Sequence, residues 1–266
     1  MEQISRISVD NIKNSKHKNI VAISAYTYPI ASLIDEFCDL ILVGDSLGMT
    51  IYGMENTLGV SVEMMINHGK AVVNATKKSL IVVDLPYGSY EESKEQAYKT
   101  AKKVIRETGC DAVKLEIEGN LTETIAFLTK KGIPVISHIG LTPQHIKKFG
   151  GFKIQGRNEI SAQNIIDLAI KSEKAGSFCV VIEGVVENLA IEISNKLKIP
   201  TIGIGASVEC DGQILVIDDI LGIKQEYSPR FVKNYAYLSG DIRNAVKNFA
   251  AEVRSRQFPT KDHCFS

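Results

Sequence analysis

The sequence has no excess of charge of either sign. Its 266 residues include 31 Lys and Arg and 31 Asp and Glu, so the formal net charge is zero at neutral pH. Nucleic acids and anionic membranes attract proteins through excess positive charge, which this chain does not offer. It also has no apolar run of membrane-spanning length and no signal-peptide pattern at its start. We therefore expect a cytoplasmic protein that acts on small molecules, with no nucleic-acid or membrane partner.

Paired cysteines and nucleotide-binding loops are missing as well. The five cysteines are an odd number without C-x-x-C spacing, and Cys179 lies in an apolar run where a buried, reduced thiol is expected. The glycines around Gly140 and Gly203 do not follow the G-x-G-x-x-G pattern, and the chain has no P-loop. The sequence therefore does not support nucleotide binding.

What the chain does contain is a series of short apolar runs that lead into an ionisable side chain. Residues 40–43 are apolar and run directly into Gly44, Asp45 and Ser46. Four later runs end in a similar way, at residues 80–84, 112–116, 133–138 and 178–183. Runs of this kind predict buried parallel strands, whose last residues reach the sheet edge where α/β proteins bind ligands.

Strands and helices alternate along the whole chain. Strands are predicted at residues 19–24, 40–43, 80–84, 112–117, 133–137, 178–182, 200–204 and 214–217. Helices are predicted at residues 3–15, 29–37, 61–76, 91–108, 121–131, 162–175, 187–197 and 239–256. This alternation predicts an α/β protein, a (β/α)8 TIM barrel with an N-terminal helix and a C-terminal helical extension, as a single domain over residues 1–266. Residues 205–213 are too few for a helix, so the last unit should be irregular; a doubly wound open sheet is the alternative.

Three carboxylates follow neighbouring predicted strands. Asp45, Asp84 and Glu116 would meet at one mouth of a barrel, where they would repel one another unless a cation lay between them. Oxygen ligands of this kind suit a hard ion such as Mg²⁺. The alternative is that each acid only caps the helix that follows it. The recurrence at three successive strand ends favours a metal site.

Three further ionisable residues belong to the same predicted edge. Lys114 lies two residues before Glu116 and therefore points to the same side, where it would pair with an acid or with an anionic substrate. Glu183 ends the sixth strand and is the candidate general base, provided that its apolar neighbours raise its pKa. His138 is a possible pocket residue and the second candidate for the base.

Seven motifs, in order and spread over nearly the whole chain, resemble those of the ketopantoate hydroxymethyltransferase family. They are VGDSLGM at 43–49, DLP at 84–86, VKLE at 113–116, HIGLTPQ at 138–144, FGGFKIQGR at 149–157, IGIGA at 202–206 and DGQILV at 211–216. The resemblance implies a (β/α)8 barrel, a Mg²⁺ cofactor and a homodecamer. It also implies transfer of a hydroxymethyl group from 5,10-methylenetetrahydrofolate to 3-methyl-2-oxobutanoate, through a Mg-stabilised enolate. The product would be ketopantoate (2-dehydropantoate), in the first step of pantothenate and coenzyme A biosynthesis.

The resemblance also implies roles for individual residues. The metal ligands would be Asp45, Asp84 and Glu116. The keto acid would contact Asp45, Ser46, Asp84 and Lys114, and the proton acceptor would be Glu183. The chain departs from the family pattern at Ile117 and Glu118, where Gly-Gly is usual, at Ser207, where Gly-Ala-Gly is common, and at Gly184. We expect these departures to alter loops at the mouth, and folate binding more than the chemistry.

Two other functions remain open from the sequence. One is a metal-dependent C–C lyase that resembles the phosphoenolpyruvate mutase and isocitrate lyase relatives, although the reactive cysteine-bearing loop of those lyases is not recognisable here. The other is a non-catalytic barrel that binds a keto acid or serves as an assembly scaffold. Such a barrel would bind metal and ligand without exchanging a substrate proton.

Overall fold

The computed structural model of the chain describes residues 6–223 and 229–265. The chain divides into two compact units, Met1–Leu215 and Val216–Ser266, which are described separately. The single domain expected over residues 1–266 stays a prediction.

Eight parallel strands form a closed barrel in the order of the sequence, which confirms the TIM barrel and excludes the open sheet. The strands are β1 Ile20–Ser24, β2 Leu40–Val43, β3 Leu80–Asp84, β4 Ala112–Glu116, β5 Val135–Gly140, β6 Cys179–Glu183, β7 Thr201–Ile204 and β8 Gly212–Val216. Between the first and last strands, the Ile20 amide donates a hydrogen bond of 2.8 Å to the Asp211 carbonyl. As expected, β7 leads to β8 through turns alone.

Helices fill most of the remaining sequence. In the first unit they are α1 Val9–Lys13, α2 Tyr28–Ile34, α3 Leu47–Thr50, α4 Val62–Ala75, α5 Lys94–Thr108, α6 Leu121–Lys130, α7 Ile146–Phe149, α8 Glu159–Lys174 and α9 Glu187–Lys196. Short 3-10 turns lie at Asp35–Phe37, Thr57–Gly59 and Pro143–His145. Single turns such as α3 and α7 were not predicted, because four residues are too few to show a helical period.

The second unit contains two helices, α10 Ile217–Ile220 and α11 Leu238–Arg254, and a 3-10 turn at Lys261–His263. The Ile220 carbonyl accepts hydrogen bonds from the amides of Tyr235 and Ala236. After α11, the ring of Phe258 contacts that of Phe249 at a centroid distance of 5.4 Å. The predicted C-terminal helix is therefore present, with ends at residues 238 and 254 instead of 239 and 256.

Several predicted boundaries were wrong by two or more residues, including the start of α8, which lies at Glu159 and not at Ala162 because Asn158 caps it. The leading helix covers only α1 within the described residues, because Ser8 caps it; residues 3–5 of the prediction lie outside them. Helix α5 begins at Lys94 and not at Glu91, because Ser93 accepts the Gln96 amide as the cap. Strand β5 is shifted toward the C-terminus, so that His138 lies inside the strand.

The barrel interior explains where the polar strand residues point. Alternate residues of the strands form one apolar cluster that includes Leu40, Val82 and Ile136. On four neighbouring strands a polar residue lies two positions after a member of this cluster: Asp84 after Val82, Lys114 after Ala112, His138 after Ile136 and Glu183 after Val181. Because side chains two apart share a face, these polar groups all form the layer above the apolar core, at the carboxyl mouth. Cys179 is a free, buried thiol, as predicted.

At the opposite end of the barrel, Asp211 joins the first and last strands. Its carboxylate accepts the amides of His17 and Thr201 at 2.6 and 2.8 Å, and Lys16 Nζ lies 2.8 Å away. These donors outweigh the effect of burial and keep the pKa of Asp211 below its usual value. The ionised carboxylate of Asp211 therefore connects the segment before β1 to the start of β7, where the barrel closes.

We expect Asp211→Ala to lower the free energy of unfolding by about 2–4 kcal/mol, because partly buried Lys16 and two amides would lose their acceptor. Urea unfolding followed by circular dichroism measures this change. The matched control Asp167→Ala removes an exposed carboxylate from α8 and should change stability by about 0.5 kcal/mol or less. Equal losses in the two variants would contradict the role given to Asp211.

No helix among the described residues has both the length and the apolar character required to cross a lipid bilayer.

Candidate active site

Lys114 is the central cation of the carboxyl mouth. It lies beside Asp84 in the register of β3 and β4, and its side chain is almost fully buried. Lys114 Nζ lies 3.0 Å from Asp84 Oδ1 and 3.2 Å from His138 Nδ1. Burial alone would lower the pKa of Lys114, but Asp84, Glu116 and Asp45 together raise it to about 12. The mouth therefore holds a permanent buried positive charge, as the sequence predicted.

His138 lies between two acids. Its Nδ1 is 3.5 Å from Glu116 Oε1, and its Nε2 is 3.2 Å from Glu183 Oε2. Burial and the neighbouring Lys114 would each lower the pKa of His138, but the carboxylates of Glu116 and Glu183 outweigh them and raise it to about 9. The two carboxylates therefore favour the protonated ring, whereas the 3.2 Å contact between Nδ1 and Lys114 Nζ opposes it.

Asp45 and Asp84 lie side by side at the ends of β2 and β3. The Asp45 amide donates a 3.0 Å hydrogen bond to Asp84 Oδ2, and both carboxyl groups are buried. Burial, followed by the charges of Asp84 and Glu116, raises the pKa of Asp45 to about 8. Burial also raises the pKa of Asp84, although Lys114 opposes it. In the absence of a further cation, this pair retains a proton at neutral pH.

Glu116 is held in its ionised form. Burial would raise its pKa, but hydrogen bonds from His138 and His145 outweigh this effect and lower the pKa to about 2. Glu116 Oε2 also accepts the amide of Gln144 at 2.9 Å. Each of the three predicted metal ligands therefore contacts a different side chain of this protein. The pKa values of Asp45 and Asp84 are raised, whereas that of Glu116 is lowered.

Ser46 also lies at this mouth, half-buried at the start of α3. Its Oγ is 2.7 Å from the hydroxyl of Tyr26, a residue that is 1% exposed. The Tyr26 carbonyl in turn accepts His68 Nδ1 at 2.7 Å. The hydroxyl of Ser46 is thus fixed at the mouth by a tyrosine that the sequence did not indicate.

The buried carboxylates of the mouth are oxygen donors of the kind that Mg²⁺ prefers. Among residues 6–223 and 229–265, no three His, Cys, Asp or Glu side chains are already arranged around a metal position. Instead, Asp84 faces Lys114, and Glu116 faces His138. Yet the buried Asp84 Oδ1 receives no hydrogen bond from the described chain, because Lys114 approaches it outside hydrogen-bonding geometry. An incompletely satisfied carboxylate beside Asp45, which retains a proton, fits a site for a hard divalent cation.

The metal-free mouth should make stability dependent on pH. Asp45 and His138 bind protons more tightly when folded, with pKa values of about 8 and 9, than at their ordinary values of 3.8 and 6.5. Their contributions to stability are therefore largest at low pH and are lost as the pH rises through these values. Glu116 has the opposite sign, and its contribution is lost only below about pH 4.5.

We therefore expect the melting temperature in EDTA to fall between about pH 6 and pH 9, because both folded-state protons are lost there. Differential scanning calorimetry measures this change. In Asp45→Asn, the melting temperature should decrease less with pH below about pH 8 than in the wild type. A melting temperature that rises over this interval in the wild type would contradict the assigned protonation states.

The departures from the family pattern lie around the mouth. Glu118 forms ion pairs with Lys148 and His145 and lines two cavities of about 600 and 300 Å³. Gly184, one of these departures, has a positive φ angle of 54°. Gly140, at the end of the neighbouring strand β5, has one of 93°. A Cβ on Gly140 would lie 2.3 Å from the Glu183 carbonyl oxygen, so only glycine lets β5 and β6 approach here. Ser207 is buried in the connection between β7 and β8.

Sequence reasoning missed Gln144, Tyr90 and His145. Gln144 is 3% exposed, and its Nε2 donates to Asp45 Oδ2 at 2.8 Å. Tyr90 is fully buried and donates to Gln144 Oε1 at 2.6 Å. Gln144 closes the HIGLTPQ motif and His145 follows it, so the motif was a usable signal. Tyr90 lies in the loop between β3 and α5, one residue before the predicted helix 91–108, and no local pattern marks it.

The sequence model for ketopantoate hydroxymethyltransferase matches residues 6–261 of this chain. The chain belongs to the ketopantoate hydroxymethyltransferase family. Its relatives named 3-methyl-2-oxobutanoate hydroxymethyltransferase include one from Paramagnetospirillum magneticum, 53% identical over 99% of this chain and 96% of the relative. Another, from Rhizobium etli, is 54% identical over 93% and 91%. A third, from Bartonella henselae, is 51% identical over 98% and 95%. Family membership makes the chain a hydroxymethyltransferase of the pantothenate pathway.

Solved structures show that this hydroxymethyltransferase family shares its fold with distant enzymes. Phosphonopyruvate hydrolase matches with a TM-score of 0.63 at 12% identity, covering 98% of this chain and 92% of its own. A phosphoenolpyruvate phosphomutase from Streptomyces platensis matches with a TM-score of 0.60 at 11% identity, covering 97% and 92%. At such low identity the likeness concerns the barrel alone.

Proposed function

We propose that this hydroxymethyltransferase moves the one-carbon unit of 5,10-methylenetetrahydrofolate to 3-methyl-2-oxobutanoate and so produces ketopantoate. The observation that carries the proposal is the buried Lys114, in contact with Asp84 and His138 at the carboxyl mouth. A buried permanent cation suits a small anionic substrate, because its charge is weakly screened there. The name of the relatives, 3-methyl-2-oxobutanoate hydroxymethyltransferase, supports the keto acid as that substrate.

The proposed Mg²⁺ ligands are Asp45, Asp84 and Glu116. All three are oxygen donors from adjacent strands, and Asp45 retains a proton that a cation would displace. When bound, Mg²⁺ would polarise the keto oxygen of the substrate and lower the energy of the developing enolate. Ser46 and Lys114 would bind the remaining oxygen atoms of the keto acid.

Glu183 is the proposed base. Its side chain is 16% exposed, so that it borders the open mouth, and His138 lies 3.2 Å from one of its oxygens. Glu183 would remove the proton from C3 of the keto acid, and the electron pair left on C3 would form the new bond to the one-carbon unit. Over the whole reaction, both bonds from that unit to folate nitrogens would break, water would supply the hydroxyl oxygen, and the folate would leave as tetrahydrofolate. Glu183 is better placed than His138 for this step, because the His138 side chain is 3% exposed and contacts Lys114 and Glu116 through Nδ1. His138 instead orients the carboxylate.

The two other functions are less well supported. A C–C lyase would share the barrel, but the family match and identities of 51–54% favour hydroxymethyl transfer. A non-catalytic scaffold would not need Glu183 beside a buried cationic pair. The homodecamer and the cytoplasmic location implied above stay predictions.

The experiment that tests the proposed reaction follows the one-carbon unit itself. The protein is incubated with 3-methyl-2-oxobutanoate, Mg²⁺ and methylenetetrahydrofolate carrying ¹³C in the methylene group. We expect a ¹³C hydroxymethyl signal of ketopantoate that requires both substrates and disappears in EDTA. Cleavage of the keto acid without label uptake would support the lyase, and binding without turnover would support the scaffold.

A further inference from the structure

We propose that Tyr90 and Gln144 form a positioning pair that holds Asp45 and Glu116 in the arrangement that the metal requires. This inference rests on the metal site of the proposed function. Neither residue is a proposed ligand or base. Both act through the carboxylates that they touch or orient.

Gln144 connects acids from two different strands. Its backbone amide donates to Glu116 Oε2 at 2.9 Å, and its side-chain Nε2 donates to Asp45 Oδ2 at 2.8 Å. The 3-10 turn Pro143–His145 places both donors toward the mouth. One residue after β5 therefore sets the separation between a carboxylate after β2 and one at the end of β4.

The orientation of the Gln144 amide is determined by its neighbours. Nε2 also lies 3.1 Å from the Leu85 carbonyl, which can only accept a hydrogen bond. Oε1 accepts the Tyr90 hydroxyl at 2.6 Å. If the amide were reversed, its oxygen would face the Leu85 carbonyl oxygen, and Asp45 would lose its amide donor. The Leu85 carbonyl therefore fixes the orientation in which Gln144 donates to Asp45, and the Tyr90 hydroxyl holds Oε1 on the other side of the amide.

Tyr90 itself is held by burial of its ring and by two acceptors near its hydroxyl. Its side chain is fully buried, and its hydroxyl also lies 3.2 Å from the Glu116 carbonyl, a second acceptor. Its loop links β3 to α5, whereas Gln144 follows β5. The pair thus couples two loops of the mouth to the acids of β2 and β4. Groups that support metal ligands in this way typically affect metal affinity by about 10–100-fold.

The test measures Mn²⁺ binding to the full chain by electron paramagnetic resonance, with no substrate present. We expect Gln144→Met, which keeps the side-chain length but removes the donor, to weaken Mn²⁺ binding by about 10–100-fold. Tyr90→Phe, which removes only the hydroxyl, should weaken it by about 10-fold. Tyr98→Phe is the matched control, since it removes the same hydroxyl from a half-buried residue of α5 that contacts Phe127. It should bind like the wild type.

A double-mutant cycle separates positioning from general packing. If Tyr90 acts through the Gln144 amide, Tyr90→Phe combined with Gln144→Met should bind Mn²⁺ no more weakly than Gln144→Met alone. At saturating Mn²⁺, the C3 proton exchange rate of Tyr90→Phe should return to within about 3-fold of the wild type, because the base is untouched. Circular dichroism of each variant confirms that it is folded.

Two results would overturn the pairing. Multiplicative losses in the double variant would mean that Tyr90 acts independently of Gln144, and unchanged Mn²⁺ affinity in Tyr90→Phe would mean that it does not act on the site. Both results leave the proposed function standing, because the wild type still binds metal. A wild-type protein that binds no Mn²⁺ would overturn the proposed metal site, and the positioning pair with it.

Discussion

Glu183→Gln is expected to slow the exchange of the C3 proton of 3-methyl-2-oxobutanoate by about 10²–10⁴-fold. The amide has nearly the same shape as the carboxylate but cannot accept the proton. Keto-acid affinity should stay within about 3-fold of the wild type, because the proposed binding groups Lys114 and Ser46 are unchanged. Nuclear magnetic resonance in D₂O measures the exchange, and isothermal titration calorimetry measures the affinity.

The matched control for this variant is Glu187→Gln. Glu187 is exposed at the start of α9, four residues beyond the proposed base, and it lies outside the described contacts of the mouth. Its exchange rate should stay within about 2-fold of the wild type. Normal exchange in Glu183→Gln would remove Glu183 from the role of base.

Lys114→Met is expected to lower kcat/KM by about 10²–10³-fold, because a buried charge directed at the substrate oxygens is lost. The substitution also leaves Asp84 without its 3.0 Å ion pair, so the metal-free protein should lose about 3–5 kcal/mol of stability. Steady-state kinetics and urea unfolding measure the two effects separately.

Added Mg²⁺ separates the two effects of Lys114→Met, the lower stability and the lower kcat/KM. Excess Mg²⁺ would compensate the charge of Asp84 and should recover part of the stability, while kcat/KM stays low. Lys103→Met is the control, because Lys103 forms an exposed ion pair with Glu63. If Lys114→Met and Lys103→Met had the same kcat/KM, the buried cation would have no role in substrate binding.

The barrel could be predicted because the patterns that indicate its strands and helices lie within short stretches of the sequence. Strands such as β2, β3 and β4 are buried on both faces and therefore appear as nearly continuous apolar runs, such as residues 80–84. The period of two along β4 also predicted that Lys114 and Glu116 point to the same side, and the structure places both in the buried mouth. Asp45, Asp84 and Glu116 are likewise brought to the same mouth, although their binding of metal stays a prediction.

The remaining features depend on contacts between distant residues. The raised pKa of His138 arises from Glu116 and Glu183 on the two neighbouring strands, and nothing near His138 in the sequence indicates it. Gln144 and Tyr90 are 54 positions apart and meet only because their loops converge at the mouth. Boundaries such as the start of α5 depended on side-chain caps, which a helical period does not show.

The most direct measurement is the loss of the C3 proton signal of 3-methyl-2-oxobutanoate in D₂O, with and without Mg²⁺, and without any folate. Exchange that requires Mg²⁺ and is lost in Glu183→Gln is the result we predict, because it isolates proton removal from one-carbon transfer. Addition of methylenetetrahydrofolate should then give ketopantoate. If the keto acid binds to the Mg²⁺-loaded protein and its C3 proton does not exchange, the carboxyl mouth is not the enolising site proposed here.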